Sequence, residues 1–218
     1  MELFPLVFLA FVAVGITLAV LGWKAAKRRR EELQALAREL GLRFSPDHDY
    51  RHDDRYPQFE AFQRGSSRYA YNTLRAELPL FGESCRVVAG DYHYETKDSD
   101  DKGTTTHTFS FLIVHPPWPT PRLLVRPEGM LDKLAGLVGF EDIDFESAEF
   151  SKRFFVKSSD KRFAYDVLHP RMMEFLLAHR ATTFELENGA LCFADGTSDW
   201  NAEALRRQFA FEIGRAHV

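Results

Sequence analysis

Residues 3–23 read LFPLVFLAFVAVGITLAVLGW and contain no charged side chain. As an α-helix, this run extends roughly 31 Å, close to the ~30 Å hydrocarbon core of a bilayer. A backbone in lipid must satisfy its own hydrogen bonds, and an unbroken apolar helix does so. We therefore predict a transmembrane anchor over residues 1–23, with the lipid bilayer as the partner of residues 3–23.

Two other interpretations of this run are a buried helix of a soluble protein and a cleaved signal peptide. Buried helices are usually shorter and carry some polar positions. A signal peptide has a basic start and a small-x-small cleavage site. This chain begins with Met1-Glu2, and its Ala25-Ala26 pair lies inside a basic cluster. The sequence therefore favours a retained span.

The charges beside the apolar run predict its orientation. Five basic residues follow it and none precedes it: Lys24, Lys27, Arg28, Arg29 and Arg30. The positive-inside rule then predicts a single-pass protein of the inner (plasma) membrane, with its N-terminus outside and its remaining residues in the cytoplasm. The same five side chains are candidate binding residues for anionic headgroups, at roughly 1 kcal/mol per basic residue. A simple topology signal is the plainer interpretation, and the two are compatible.

Composition excludes some classes of partner. The chain carries a net charge of −4 although its first 30 residues contribute +4, so residues 31–218 carry −8. An acidic domain is a poor candidate for nucleic-acid binding, which needs a basic face. Cys85 and Cys192 form no CxxC pair and fit a reducing compartment, where we expect them to be buried.

The chain from residue 24 to residue 211 divides into three predicted parts. Residues 24–44 are a basic stalk helix that ends near Gly41, and it either continues the span or hinges at the basic cluster. Residues 45–58 are a polar linker, and residues 59–211 a cytoplasmic α+β domain with a mainly antiparallel sheet. Strands are predicted at 68–75, 85–95, 104–114, 122–126 and 150–157, helices at 128–138, 159–179 and 199–211, and a hairpin at Asn188-Gly189.

The last seven residues have a non-biological interpretation. Residues 212–218 read EIGRAHV, and their reverse translation contains a common sequencing-adapter sequence. We therefore predict that this tail is an artefact and exclude it from reasoning about the fold. The alternative is an ordinary helical tail.

Two groups of polar residues have spacings compatible with chemistry. Asp91, His93 and Glu95 alternate along a predicted strand and share one face, with Tyr92 and Tyr94 on the other. With His107 from the next strand, depending on register, they offer groups for acid–base work or metal binding. The plainer interpretation is a polar sheet face.

His48 and His52 are four residues apart, a spacing that chelates metal when it lies on a helix. The prolines around them favour a solvated loop instead. We find no nucleophile elbow, zinc-protease motif, phosphate loop or dinucleotide fingerprint. No catalytic residue, metal site or cofactor is therefore assigned.

From residue 22 to 211 the chain resembles a family of bacterial single-pass membrane proteins of unknown function. The resemblance is carried by residues 27–33 with 40–44, by GDYHY at 90–94, and by FESAEFSKRF at 145–154 with DKRFAYDVLHPRMMEFL at 160–176. It implies a location and a type of domain, but no activity and no catalytic residue.

The sequence therefore favours a membrane-anchored cytoplasmic domain that acts as a binding or scaffolding module without catalysis, its partner being either a protein or a small molecule. One alternative is a membrane-tethered enzyme that uses the Asp91, His93 and Glu95 face. The other is a module that senses anionic lipid through its basic cluster.

Overall fold

The computed structural model describes residues 3–80, 82–97, 103–128, 141–143, 145–178, 183–194 and 196–214. The helices are α1 (Leu3–Glu39), α2 (His52–Arg55), α3 (Ala148–Arg153), α4 (Lys161–Val167), α5 (Pro170–Ala178) and α6 (Ala202–Gly214), with a 3₁₀ helix at Glu60–Gln63. The strands are β1 (Arg43–Ser45), β2 (Ser66–Leu80), β3 (Glu83–Lys97), β4 (Thr104–His115), β5 (Leu123–Pro127), β6 (Glu141–Asp142), β7 (Phe154–Ser158), β8 (Phe184–Glu187) and β9 (Ala190–Phe193).

Helix α1 joins the apolar run and the stalk in one element of 37 residues. The question of a hinge is therefore settled in favour of a continuous helix. Among the described residues, α1 is the one helix long and apolar enough to cross a membrane, and none of its apolar window is buried in the protein. Its C-terminal part is different, because Leu33, Leu36 and Ala37 are fully buried.

Helix α1 ends as predicted, at Gly41. This glycine has φ of +68°, and the N–H of Leu42 donates to the carbonyl of Ala37 at 2.8 Å. That bond and the left-handed glycine form a Schellman motif, which satisfies a carbonyl left open at the helix end. The chain then reverses into β1, so β1 runs back along α1.

Among the described residues, nine strands form one sheet in the order β1-β2-β3-β4-β9-β8-β5-β7-β6. Every pairing between these strands is antiparallel. The α+β class and the antiparallel sheet predicted from the sequence are confirmed. The hairpin is also confirmed, because Asn188 and Gly189, with φ of +52° and +70°, join β8 to β9. Two successive positive φ values are the mark of a type I′ turn.

Helices cover both faces of the sheet. On one face the end of α1 packs with α4, α5 and α6 over a core that includes Leu74, Leu112 and Val125. On the other face, α2 and the 3₁₀ helix cover an aromatic core of Phe59, Phe62, Tyr92, Phe109 and Phe111. Both cysteines are buried, as expected.

Residues 45–58 differ from the predicted linker. Asp49 forms a β-bridge with Ala70, α2 follows, and His52 is only 1% exposed. The physical reason is the aromatic content just downstream: Tyr56 and Phe59 bury their rings in the second core and draw the preceding polar residues onto the sheet.

Two further boundaries differ from the predictions. The expected strand 150–157 begins as α3, because the Ser147 hydroxyl accepts a hydrogen bond from the N–H of Phe150 and caps a short helix before β7. Helix α6 begins after Asn201, whose side chain accepts from the N–H of Ala204, and not at the predicted residue 199. The side chain of Asp199 instead accepts a hydrogen bond from Thr108.

The long helix predicted over 159–179 appears as α4 and α5. Asp160 caps α4, and α5 begins at Pro170, because a proline inside a helix removes a backbone hydrogen bond and interrupts it. The helix predicted over 128–138 lies almost wholly outside the described residues. The artefact interpretation of residues 212–218 stays a prediction: α6 includes residues 212–214, and residues 215–218 lie outside the described range.

Candidate functional site at the junction of the anchor helix and the sheet

A buried ion pair between Arg29 and Asp91 attaches helix α1 to the sheet. Arg29 Nη2 lies 2.6 Å from Asp91 Oδ1, and Arg29 Nε lies 3.1 Å from Asp91 Oδ2. The Asp91 side chain is 3% exposed and the Arg29 side chain 20%. Two parallel N–H···O bonds fix orientation as well as energy. The pair therefore determines which side of α1 faces the sheet.

Two more side chains complete this buried network. Asn72 Nδ2 donates to Asp91 Oδ2 at 3.1 Å, and Ser110 Oγ donates to Asp91 Oδ1 at 2.9 Å. Ser110 Oγ also accepts from the N–H of Trp200 at 2.9 Å. The Asp91 carboxylate thus accepts four hydrogen bonds, about as many as its two oxygens offer. These hydrogen bonds hold α1 in place. For the carboxylate to accept a proton from a substrate, it would have to lose one of these four hydrogen bonds.

A β-bulge brings Asn72 into the network. The pairing of β2 with β3 shifts between Tyr71 and Leu74, and Asn72 has φ of +50°. Gly90 lies opposite: a Cβ atom there would be 3.0 Å from the carbonyl oxygen of Tyr71 and 3.2 Å from Thr73 Cα. The extra residue thus needs a glycine partner, and the bulge re-aims the Asn72 amide toward Asp91.

Tyrosine and histidine rings lie on the same sheet face, nearer the start of β2. We call them the Tyr–His cluster: His48, Tyr50, Tyr69, Tyr71 and His93. Tyr69 is stacked between His48 and His93, with ring centroids 4.2 and 4.4 Å away. Burial, together with the charges of Asp91 and Asp199, raises the pKa of Tyr71, so its phenol stays protonated at neutral pH. The Tyr50 side of the cluster is open, since Tyr50 is 65% exposed.

The predicted alternation of β3 side chains between the two faces of the sheet is confirmed, but the proximity of His107 to His93 is not. Tyr92 and Tyr94 are buried under the 3₁₀ helix, and His93 Nε2 lies 3.6 Å from Glu95 Oε1 on the opposite face. His107 pairs with Tyr94 and stacks on it at 4.7 Å. Register therefore puts His107 on the Tyr94 face, away from His93.

His48 and His52 are also separated. His48 belongs to the Tyr–His cluster, whereas His52 lies in the opposite aromatic core with its ring 4.6 Å from Phe62 and 4.5 Å from Phe111. Across the described part of the chain, no group of three His, Cys, Asp or Glu side chains is placed to hold a metal ion.

The five basic residues after the apolar run differ in their exposure to solvent. Lys24, Lys27, Arg28 and Arg30 are exposed, and only Arg29 turns inward. Lys27 and Arg28 pair along the helix with Glu31 and Glu32, at 3.9 and 2.8 Å. Arg29 is therefore engaged with Asp91, while four cations face outward beside the apolar run.

Sequence reasoning missed the Arg29–Asp91 network, although one signal for it was present. The apolar stripe of the stalk runs from Leu33 to Leu40 at helical spacing, and a step of four residues back from Leu33 reaches Arg29. A cation on the buried side of an amphipathic helix calls for a buried partner. No sequence pattern identified that partner, because its surroundings are assembled by two long-range features, the β-bulge at Asn72 and the register of β4.

No family model and no curated protein matches this sequence. Among solved structures, the chain is similar to the crystal structure of the mycobacterial trehalose monomycolate transport factor A, TtfA. The two share 14% sequence identity with a TM-score of 0.53, over 88% of this chain and 90% of that chain. A likeness at this identity concerns the fold, so the chain and that transport factor share an α+β architecture.

Proposed function

We propose that this chain is a single-pass protein of the plasma membrane whose cytoplasmic domain is a non-catalytic binding or scaffolding module. In this proposal residues 3–23 span the bilayer, the N-terminus is outside, and the sheet lies on the cytoplasmic side. The apolar helix and the one-sided basic cluster support this arrangement.

The observation that carries the proposal is the set of hydrogen bonds that the Asp91 carboxylate accepts. Asp91 lies at the centre of the sheet face that offered candidate acid–base groups, and its carboxylate is taken up by Arg29, Asn72 and Ser110. Arg29 comes from the anchor helix itself. The most buried carboxylate of that face therefore attaches the domain to its anchor, which is the arrangement expected of a module that positions a partner at a membrane.

The similarity of fold suggests in which process to look for that partner. The structural neighbour is described as a transport factor, and by analogy of fold we propose an accessory role in transport at the membrane. The partner in this proposal is another membrane protein in the same bilayer. The four outward cations, Lys24, Lys27, Arg28 and Arg30, are proposed to bind anionic headgroups and so to support the anchor.

The first test concerns the placement. Membranes from cells that express the full chain with a C-terminal tag are washed with alkaline carbonate, and intact cells are treated with protease. We expect the tagged chain to stay in the membrane fraction and its tag to be protected until the cells are opened. Release by carbonate, or digestion of the tag in intact cells, would contradict the proposal.

The second test concerns binding against catalysis. The full chain carries a photo-crosslinking residue at exposed positions of the domain, and crosslinked products are identified after detergent extraction. We expect reproducible crosslinks to an integral membrane protein. Turnover of a substrate by the purified chain alone, abolished by His93→Ala, would favour the membrane-tethered enzyme.

Neutralising the four outward cations should invert the membrane orientation of part of the protein population. The variant with Lys24, Lys27, Arg28 and Arg30 replaced by glutamine keeps Arg29 and its buried pair, but it removes most of the positive-inside signal. We expect a C-terminal tag to become protease-sensitive in a fraction of intact cells. The matched control replaces Glu31 and Glu32 with glutamine, and because acidic residues contribute little to topology, its tag should remain protected. Equal protection in both variants would show that these cations do not set the orientation.

A further inference from the structure

We infer that the end of the sheet formed by the start of β2, the end of β3 and the start of β4 lies in the headgroup layer of the membrane, with the Tyr–His cluster as its lipid-facing surface. This inference rests on the proposed transmembrane placement of α1. It adds an interaction surface on the domain and a partner for it, the polar surface of the bilayer in which the chain is anchored.

The first step is the direction of the strands relative to α1. Just after the end of α1, Phe44 pairs with Leu74. Ten residues earlier on the helix, Arg29 reaches Asp91, which pairs with Tyr71. Tyr71 is three positions nearer the start of β2 than Leu74. Moving along α1 toward the bilayer therefore means moving toward the start of β2 and the end of β3.

The second step is the distance to the bilayer. Trp23, the last residue of the apolar run, precedes Arg29 by six residues, roughly 9 Å along a helix. From Asp91, the strand continues to Glu95, roughly 13 Å farther toward the bilayer end of the sheet. For an inclination of the strands to the helix of up to about 45°, the sheet end reaches the level of Trp23. The headgroup layer on each side of the hydrocarbon core is roughly 5–7 Å thick, so this end meets it.

The third step is the rigidity of the attachment. Helix α1 has no break between the apolar run and Glu39, and Leu33, Leu36 and Ala37 are buried against the domain. Arg206 at the start of α6 also pairs with Glu39, at 2.5 Å. A domain fixed to the helix at these points cannot lift its sheet end away from the bilayer without breaking them.

The fourth step is the chemistry of that end. Tyrosine is enriched at membrane–water interfaces, where its ring contacts apolar chains and its hydroxyl remains in water. Tyr50 is exposed, and Tyr69 and Tyr71 are partly exposed beside it. The segment that bears Tyr50 reaches this level because the chain reverses at Gly41 and pairs Asp49 with Ala70. The end of β3 also carries Glu95 and Lys97, which have opposite charges, so the expected contact with headgroups comes from the tyrosines and should persist in salt.

The test uses the full chain in phospholipid nanodiscs, with a single fluorescent label at an introduced cysteine. Tyr50→Cys and Thr104→Cys place the label at the proposed lipid-facing end, on two different elements. Ser84→Cys is the matched control, an exposed position near the opposite end of β3, roughly 23 Å from Asp91 along the strand. The native Cys85 and Cys192 are buried and are not expected to react.

The readout is quenching by lipids that carry a nitroxide on the headgroup. We expect the labels at positions 50 and 104 to be quenched several-fold more strongly than the label at position 84, in zwitterionic as well as anionic nanodiscs and at high salt. Equal quenching at all three positions, with the chain in the disc, would overturn this inference and leave the proposed function standing. A chain that does not enter nanodiscs and is released from cell membranes by carbonate would overturn both.

Discussion

Replacing Arg29 with methionine is expected to lower the free energy of unfolding of the domain by about 3–5 kcal/mol, the cost of removing one partner from a buried ion pair. The substitution keeps the helix and most of the apolar stem but leaves the Asp91 carboxylate buried with only Asn72 and Ser110 as donors. The measurement is chemical denaturation of the full chain in mild detergent, followed by a signal from the sheet.

The control for this prediction is one residue away on the same helix. Arg28 pairs with Glu32 on the surface, with side chains 83% and 38% exposed. Exposed pairs of this kind contribute about 0–1 kcal/mol, so Arg28→Met should change the stability little. Equal losses for the two variants would show that the buried pair does not hold the domain on its anchor.

Replacing the partner residue, Asp91, is expected to lower the free energy of unfolding by a different amount. In Asp91→Asn, the Arg29 side chain is long and already 20% exposed, so it is able to turn its guanidinium toward water. We expect Asp91→Asn to cost less than Arg29→Met, and the double variant to cost less than the sum of the two. That non-additivity measures the coupling between anchor and sheet.

Acid should destabilise the domain through His52, and His52→Phe should remove this contribution. Burial, with the charge of Arg55, lowers the pKa of His52 to about 3, although the carboxylate of Asp49 acts in the opposite direction. The folded state therefore binds fewer protons than the unfolded state between about pH 6.5 and pH 3. The stabilisation is fully present above about pH 6.5 and is lost as the pH falls through that window.

The expected loss attributable to His52 is about 3 kcal/mol between pH 6.5 and pH 4. His52 Nε2 is buried without a hydrogen-bond partner, and its ring contacts Tyr56, Phe62 and Phe111. A phenylalanine ring fits these contacts and has no polar atom, so His52→Phe should be at least as stable as the parent at pH 7. Stability measured against pH should fall less steeply in this variant.

A second histidine, His115, serves as a reference for that pH profile. Burial, with the charge of Arg86, lowers the pKa of His115 to about 4, so some acid sensitivity should remain after His52→Phe. If His52→Phe has the same pH profile as the parent, the burial of His52 does not account for acid sensitivity.

Local chemistry made some elements predictable. Asn188-Gly189 adopts two positive φ values that few other residue pairs tolerate, Asp160 caps a helix three residues before Phe163, and Gly41 ends α1. In each case neighbours in sequence supply the whole physical reason, so the sequence pattern was sufficient.

Contacts distant in sequence were not predictable in the same way. Arg29 and Asp91 are 62 residues apart, and their meeting depends on the β-bulge at Asn72 and on the packing of the stalk. The location of His107 depends on a register that alternation alone leaves open by one residue, and one residue changes the face. The polar segment 45–58 is typical of a solvated loop in sequence because part of its burial comes from distant partners, Ala70 on β2, Tyr92 on β3 and Phe111 on β4.

The unbroken course of α1 has a mechanical consequence. Hydrophobic mismatch makes a transmembrane helix tilt when the bilayer becomes thinner. Without a joint between lipid and sheet, the whole domain must turn by the same angle. Among the described strands, the far edge at β6 is six strand spacings from Asp91 on β3, roughly 29 Å, so a tilt of about 10° moves that edge by about 5 Å. In the proposed transmembrane placement, a change in bilayer thickness therefore becomes a displacement of the far edge of the sheet.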